Sequence, residues 1–229
     1  SARSFEQIKI DVGYSDTNVK LIGISGGVSY GALGSSHHSA QDIAAVGALP
    51  GLRVYLPSDW RLTRALMQKL IWDDSAAYIR VGRNPSPEVY QEDELEFEMD
   101  RAVTVREGSN LTIIACGDLV FHAKEAAIRL EQKGISCRVL DMYCIKPLDQ
   151  EAVLRAARET GLILSVEEHS IFGGLGSLVC QTTATHYPVP VRCLALPDSE
   201  LVTGTQTELF HYYGLDADGI CAAAEEMIR

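Results

Sequence analysis

Short apolar runs alternate with amphipathic stretches in two series, one on each side of an acidic, proline-containing segment. This pattern constrains the fold of the 229-residue chain more than any other feature. In the first series, Phe5, Ile8 and Val12 share one face of a helix. Strands are expected at 19–24 (VKLIGI), 53–56 and 77–81 (AYIRV). A helix is expected at 40–49, stopping before Pro50-Gly51, and another from Pro57-Ser58-Asp59 through about residue 72. In the second series, strands are expected at 111–116, 136–142, 162–166 and 191–196. The helices between them start at Gly117-Asp118, at Asp149 and at Gly173, and two more follow at the end. Thr205 and Glu208 have capping-box spacing and open the first of these two. Strands alternating with helices predict α/β architecture with mostly parallel sheets, twice over.

The segment between the series, NPSPEVYQEDELEFEMD, carries seven acidic residues and two prolines, and reads as an exposed linker. The expected division is 1–84, a linker at 85–100, and 101–229. There is no short-period repeat and no low-complexity tract.

The formal net charge of −11 argues against a nucleic-acid footprint, which needs clustered Lys and Arg. No apolar run reaches the length of a membrane span, and the chain opens in a charged, helix-like stretch rather than a signal peptide. The first residues lack an initiator Met and read as a processed start or a fragment. None of the six cysteines stands in a CxxC, and Cys116, Cys137 and Cys193 sit in apolar runs as small core residues do. A reducing, cytoplasmic setting is expected.

Several motifs occur in order: a Gly/Ser-rich loop at 25–36, GALGSSHHSAQDIAAVGALPGLRVYLPSD at 31–59, Arg80-Val81-Gly82-Arg83, VLDMYCIKPLD, SVEEHSIFGGLGS and YGLDADGI. Together they resemble the transketolases over almost the whole chain. The first half resembles the domain that binds the pyrimidine ring of thiamine diphosphate, and the second the C-terminal domain. In that family the cofactor's thiazolium carbon attacks a ketose and passes a two-carbon unit to an aldose, while the protein supplies position and charge.

The resemblance implies specific roles. His37 stands at the family histidine that faces the reactive centre and is the catalytic candidate, for a hydrogen bond to a developing alkoxide or for a proton transfer. The alternative is a structural or helix-capping histidine. His38 reads as a neighbour, since no ligands at metal spacing accompany it. Gly31 and Gly34, with Gly26 and Gly27, are the cofactor-facing glycines, or else an ordinary turn. Arg83 matches a phosphate-clamping arginine, a task that suits a planar guanidinium; the alternative is a salt bridge to the acidic linker. Ser25 occupies a second phosphate-contacting position, where the family often has His. Arg80 is expected on the opposite face of its strand. Leu33 replaces an acidic residue that reads the donor sugar's hydroxyls.

The resemblance also implies missing parts. The family glutamate that activates the aminopyrimidine, and the aromatic residues around that ring, lie upstream of the motifs present here. The diphosphate and its Mg2+ or Ca2+ then belong to a partner half, either a domain or a separate chain. No metal site is expected in this chain, and the pair is expected to be a homo-oligomer acting on phosphosugars. Alternatives on the same fold are the beta subunit of a 2-oxo-acid dehydrogenase or a deoxyxylulose-phosphate synthase. A further alternative is a non-catalytic dimerisation or regulatory subunit. Glu167, Glu168 and His169 read as structural, and Gly173-Gly174-x-Gly176 lacks the third glycine of a dinucleotide fingerprint.

Overall fold

Leu111–Ala115 is buried along its entire length, which a strand achieves only when both faces of its sheet are covered. It lies at the centre of the larger of two sheets in the computed structural model, which describes residues 3–91 and 94–229. Ser1, Ala2 and two residues of the acidic segment, Glu92 and Asp93, lie outside the described residues.

In chain order the first half contains α1 (Phe5–Gln7), a π-helical stretch (Ile8–Tyr14), β1 (Lys20–Ile24), α2 (Asp42–Gly47), β2 (Arg53–Tyr55), α3 (Trp60–Leu70) and β3 (Ala77–Val81). The second half contains β4 (Val103–Arg106), β5 (Leu111–Ala115), α4 (Leu119–Glu131), β6 (Cys137–Asp141), β7 (Cys144–Lys146) and α5 (Gln150–Thr160). It continues through β8 (Ile163–Ser170), α6 (Leu175–His186), β9 (Val191–Leu196), α7 (Gln206–Tyr212) and α8 (Ala217–Ile228).

The smaller sheet has the order β1-β3-β2-β7 and the larger β4-β6-β5-β8-β9. Each is parallel except for one antiparallel edge strand, β7 in the first and β4 in the second. The predicted α/β class with two mostly parallel sheets is what the chain adopts. Local signals account for several element ends. Asp59 caps α3 by accepting from Leu62 N at 2.9 Å, and Asp149 caps α5 through Ala152 N at 3.1 Å. Gly161 ends α5 in the left-handed region, at φ 70°. Thr205 and Glu208 form the full capping box.

The differences from expectation are also physical. β4 and β7 are short strands, too brief for a periodic signal. β7 comes from the second half yet pairs with β2 of the first, so the two halves share a sheet. β8 runs on to Ser170 and takes Glu167, Glu168 and His169 into the strand rather than beyond its end. α2 begins at Asp42, so His37 and His38 stand in the turn before it. The acidic segment is not uniformly exposed. Val89 and Tyr90 are buried, with their amides donating to Asp59 Oδ2 at 3.0 and 3.2 Å and the Tyr90 hydroxyl to Asp141 at 2.8 Å.

Candidate functional site

Parallel strands end with their carboxyl ends at one rim of the sheet, where α/β proteins place their sites. β1 and β3 are parallel neighbours, so the residues just beyond them emerge side by side. Ser25 follows β1 at φ 67°, and its amide donates to Val81 O at 3.1 Å. Gly82 and Arg83 follow β3.

The chain after Ser25 folds into a tight turn. Ser29 N and Ser29 Oγ both donate to Gly26 O, at 3.2 and 2.7 Å. Tyr30 comes next, then a 3-10 turn at Gly31–Leu33. The Tyr30 ring gathers the site. The guanidinium carbon of Arg83 lies 3.9 Å from its centroid. The His37 ring meets it edge-on, with centroids 5.3 Å apart and planes at 81°. His37 Nδ1 is 3.0 Å from Ser36 Oγ, and His37 is exposed. His38, in contrast, has both ring nitrogens buried without a partner. Two residues far apart in sequence, Arg83 and His37, are thus united by one aromatic ring. Ser25 does not join that cluster; it stays at the strand end, held through its backbone to Val81.

Gly27, Gly31 and Gly34 face the second half of the chain, and Gly26 faces the neighbouring strand. A side chain at Gly31 would collide with Leu209 and with the Gly204 carbonyl, and one at Gly34, at φ 71°, would crowd Thr203. At Gly26 it would strike Arg80, and at Gly27, at φ 57°, Glu168. These close approaches by themselves require glycine at 26 and 27.

Beneath the loop lies a buried charged seam. Arg80, 5% exposed, pairs with Asp42 at 3.4 Å and with Glu168 Oε2 at 3.5 Å, and donates to the Glu168 carbonyl at 2.7 Å. Arg80 is buried in this seam, whereas Arg83 is exposed. Burial opposes the Arg80 charge, but Asp42 and Glu168 overcome it and hold its pKa above the ordinary value. Burial pushes the Glu168 carboxyl up to about 8, against the pull of Arg80. Burial likewise pushes Glu167 up to about 7, although Leu175 N and Gly176 N donate to it at 2.7 and 2.8 Å as a cap on α6. His169 Nε2 accepts from Ala44 N at 3.3 Å while Nδ1 faces Ser170 O at 2.8 Å, the pattern of a neutral ring protonated on Nδ1. Burial lowers its pKa accordingly.

Among the described residues no group of three or more His, Cys, Asp or Glu side chains is placed to hold a metal ion.

Comparison with known proteins gives this arrangement its context. Residues 1–87 match the model described as the transketolase pyrimidine binding domain, and residues 100–220 match the transketolase C-terminal domain. This chain belongs to the transketolase family. It is 50% identical over 228 residues to an apulose-4-phosphate transketolase subunit of Phocaeicola vulgatus, covering 100% of this chain and 73% of that one. It is 35% identical over 227 residues to the 6-deoxy-6-sulfo-D-fructose transketolase subunit SqwH of Clostridium sp. (strain MSTE9), covering 99% and 70%. A solved structure described as a split gene transketolase, inactive beta4 tetramer, superposes with a TM-score of 0.86 at 36% identity, covering 99% of this chain and 71% of that one. The resemblance read from the motifs is borne out for family and fold.

Sequence reasoning did not single out Tyr30, Asn84 or Gln206. Asn84 donates to Gln206 Oε1 at 2.9 Å, bridging the two halves beside Arg83. Tyr30 carried a legible signal: it is the one aromatic residue in a loop otherwise made of small residues and Val and Leu. Gln206 carried none, because its role depends on partners far away in the chain.

Proposed function

We propose that this chain is the pyrimidine-side and C-terminal component of a two-subunit transketolase that moves a two-carbon ketol unit between phosphosugars. The observation that carries this reading is the Arg83–Tyr30–His37 cluster at the carboxyl rim of the first sheet. Arg83 offers its guanidinium to a substrate phosphate, with Ser25 as a second polar group at that rim. Its position is set by stacking on Tyr30, so that less conformational freedom is lost on binding. His37, exposed in its turn, donates a hydrogen bond to the oxygen on which negative charge develops, or takes and returns its proton. Gly31 and Gly34 let the loop that carries Tyr30 and His37 pack closely on Leu209, Gly204 and Thr203 of the second half.

Thiamine diphosphate, when bound, supplies the nucleophilic carbon that carries the ketol unit. We assign its diphosphate and the Mg2+ or Ca2+ to the partner, as the family resemblance implies. The names of the two relatives support a phosphate- or sulfonate-bearing sugar as the substrate class. The inactive tetramer described for the split gene relative supports self-association without activity. All six cysteines are free thiols, which suits the cytoplasm, and no described helix is long and apolar enough to cross a membrane.

The test is reconstitution with a diphosphate-binding partner, thiamine diphosphate and Mg2+. Ketol transfer from a ketose phosphate to an aldose phosphate is expected from the pair and not from this chain alone. Turnover by the isolated chain, or none by the pair with any phosphosugar, overturns the reading.

A further inference from the structure

The turn that carries Tyr30 is moulded on a residue from the other half of the chain. Val28 is fully buried, and its amide donates to Glu168 Oε1 at 2.8 Å across 140 positions of sequence. Gly27 takes a left-handed φ of 57° with its α-carbon against the Glu168 carboxyl, and Gly26 is pressed on Arg80, whose guanidinium Glu168 also holds. Two residues beyond Val28 stands Tyr30. The same carboxylate oxygen has a second arm: Gln206 Nε2 lies 3.4 Å from Glu168 Oε1, and Gln206 Oε1 accepts from Asn84, the neighbour of Arg83, at 2.9 Å. The Gln206 amide is further fixed by Asp118 Oδ2 at 3.0 Å. One buried oxygen therefore stands at the root of two chains of hydrogen bonds. One ends at the Val28 amide, two residues before Tyr30, and the other at Asn84, beside Arg83.

We propose that Glu168 is a positioning residue that sets the separation of Tyr30 and Arg83, and so the geometry in which this site grips an anionic substrate. It touches no substrate; it acts through Val28 N–H on one side and through Gln206 and Asn84 on the other. The inference rests on the functional reading given above, and it assigns to the second half a direct part in the site of the first. Its partners lie on elements far apart in sequence, which is why the Glu-Glu-His motif alone reads as structural.

The experiment uses the reconstituted complex with Glu168→Ala, Glu168→Gln and Gln206→Ala. Amide hydrogen exchange is followed in peptides covering 26–30 and, as a control, 111–115. Steady-state kinetics are measured with a phosphorylated ketose and its unphosphorylated counterpart. Glu168→Ala should speed exchange at 26–30 by about tenfold or more with 111–115 unchanged. It should also narrow the kcat/KM preference for the phosphorylated ketose by about tenfold, since a displacement near ~1 Å is enough to cost that much or more. Glu168→Gln, which keeps the acceptor oxygen, should restore both. Gln206→Ala should narrow the preference while leaving 26–30 protected. Unchanged exchange and preference in Glu168→Ala, or a Gln variant as impaired as the Ala variant, overturns the proposal. If Glu168→Ala does not fold, Gln206→Ala decides, and an unchanged preference there overturns it. If the wild-type complex transfers no ketol unit, the functional reading fails, while the exchange data still judge the hold of Glu168 on the loop.

Discussion

Arg83 lies with its guanidinium carbon 3.9 Å from the centroid of the Tyr30 ring, joining the end of β3 to the loop after β1. A cation over an aromatic face gains about 0.5–1 kcal/mol when exposed and more when desolvated. At a rim site of this kind the larger benefit is a guanidinium held in one orientation before substrate arrives.

Tyr30→Leu should raise KM for a phosphorylated ketose in the reconstituted complex by roughly 5-fold or more, with a smaller effect on kcat. Tyr30→Phe keeps the ring and should stay near wild type. Steady-state kinetics on the three proteins check this, and a Tyr30→Phe complex as weak as Tyr30→Leu would show that the hydroxyl, not the ring, matters.

His37 and His38 are adjacent, but the turn gives them different surroundings: one is exposed beside Tyr30, the other has its ring nitrogens buried. His37→Ala should lower kcat by ~10²–10³, as expected for removing a hydrogen-bond donor aimed at developing charge. Its thermal midpoint should barely move. His38→Ala should change kcat much less. Equal kinetic losses from both variants, or a His37→Ala defect confined to stability, would place the proton chemistry elsewhere.

The acidic segment is anchored at several points, with Phe97 against Tyr143 and the Glu98 carbonyl accepting from the Tyr143 hydroxyl at 2.8 Å, but the side chains of its described glutamates are exposed. Val89 and Tyr90 are clamped by Asp59 and Asp141, while Glu94, Glu96 and Glu98 face solvent. Limited digestion with a glutamate-specific protease should first cut at 94–98, because cleavage needs an exposed, locally open backbone. Tyr90→Phe removes one clamp and should speed that cut. Mass spectrometry of the early fragments reads the site; first cuts inside 111–166 would contradict it.

Asp141 is fully buried, one carboxylate oxygen lacks a partner, and burial pushes its pKa up to about 7 despite hydrogen bonds from Ser58 and Tyr90. In the unfolded chain an aspartate titrates near ~3.9. The folded state therefore binds the proton more tightly. The stabilisation from this group is complete below about pH 4 and is lost as pH rises through about 7. Glu167 and Glu168 shift in the same direction. These groups should lower the melting temperature between about pH 4 and about pH 8, and Asp141→Asn should reduce the part of that fall below about pH 7 by roughly 3 °C or more. A pH dependence identical to wild type would mean that Asp141 is ionised in the native protein.

What the sequence determined by itself was local or periodic. The strand runs, the caps at Asp59, Asp149 and Thr205, and the left-handed stop at Gly161 follow from side-chain chemistry acting over a few residues. The ordered motifs from residue 31 to residue 220 sufficed for the family. Arg83 and His37 were legible as candidates because each has a chemistry that the family's reaction can use. Only the tertiary structure decided what those residues rest on. Tyr30 unites them because two parallel strands end at one rim. The glycines at 26 and 27 are required by Arg80, brought near by the pairing of β1 with β3, and by Glu168, which comes near only when the halves close on each other. β7 crosses into the first sheet because three residues suffice to pair an edge but not to show a period. Glu168 meets Val28 across 140 positions, and no pattern read along the chain records such a meeting, because hydrogen bonds of that range form only once the core has brought their partners together.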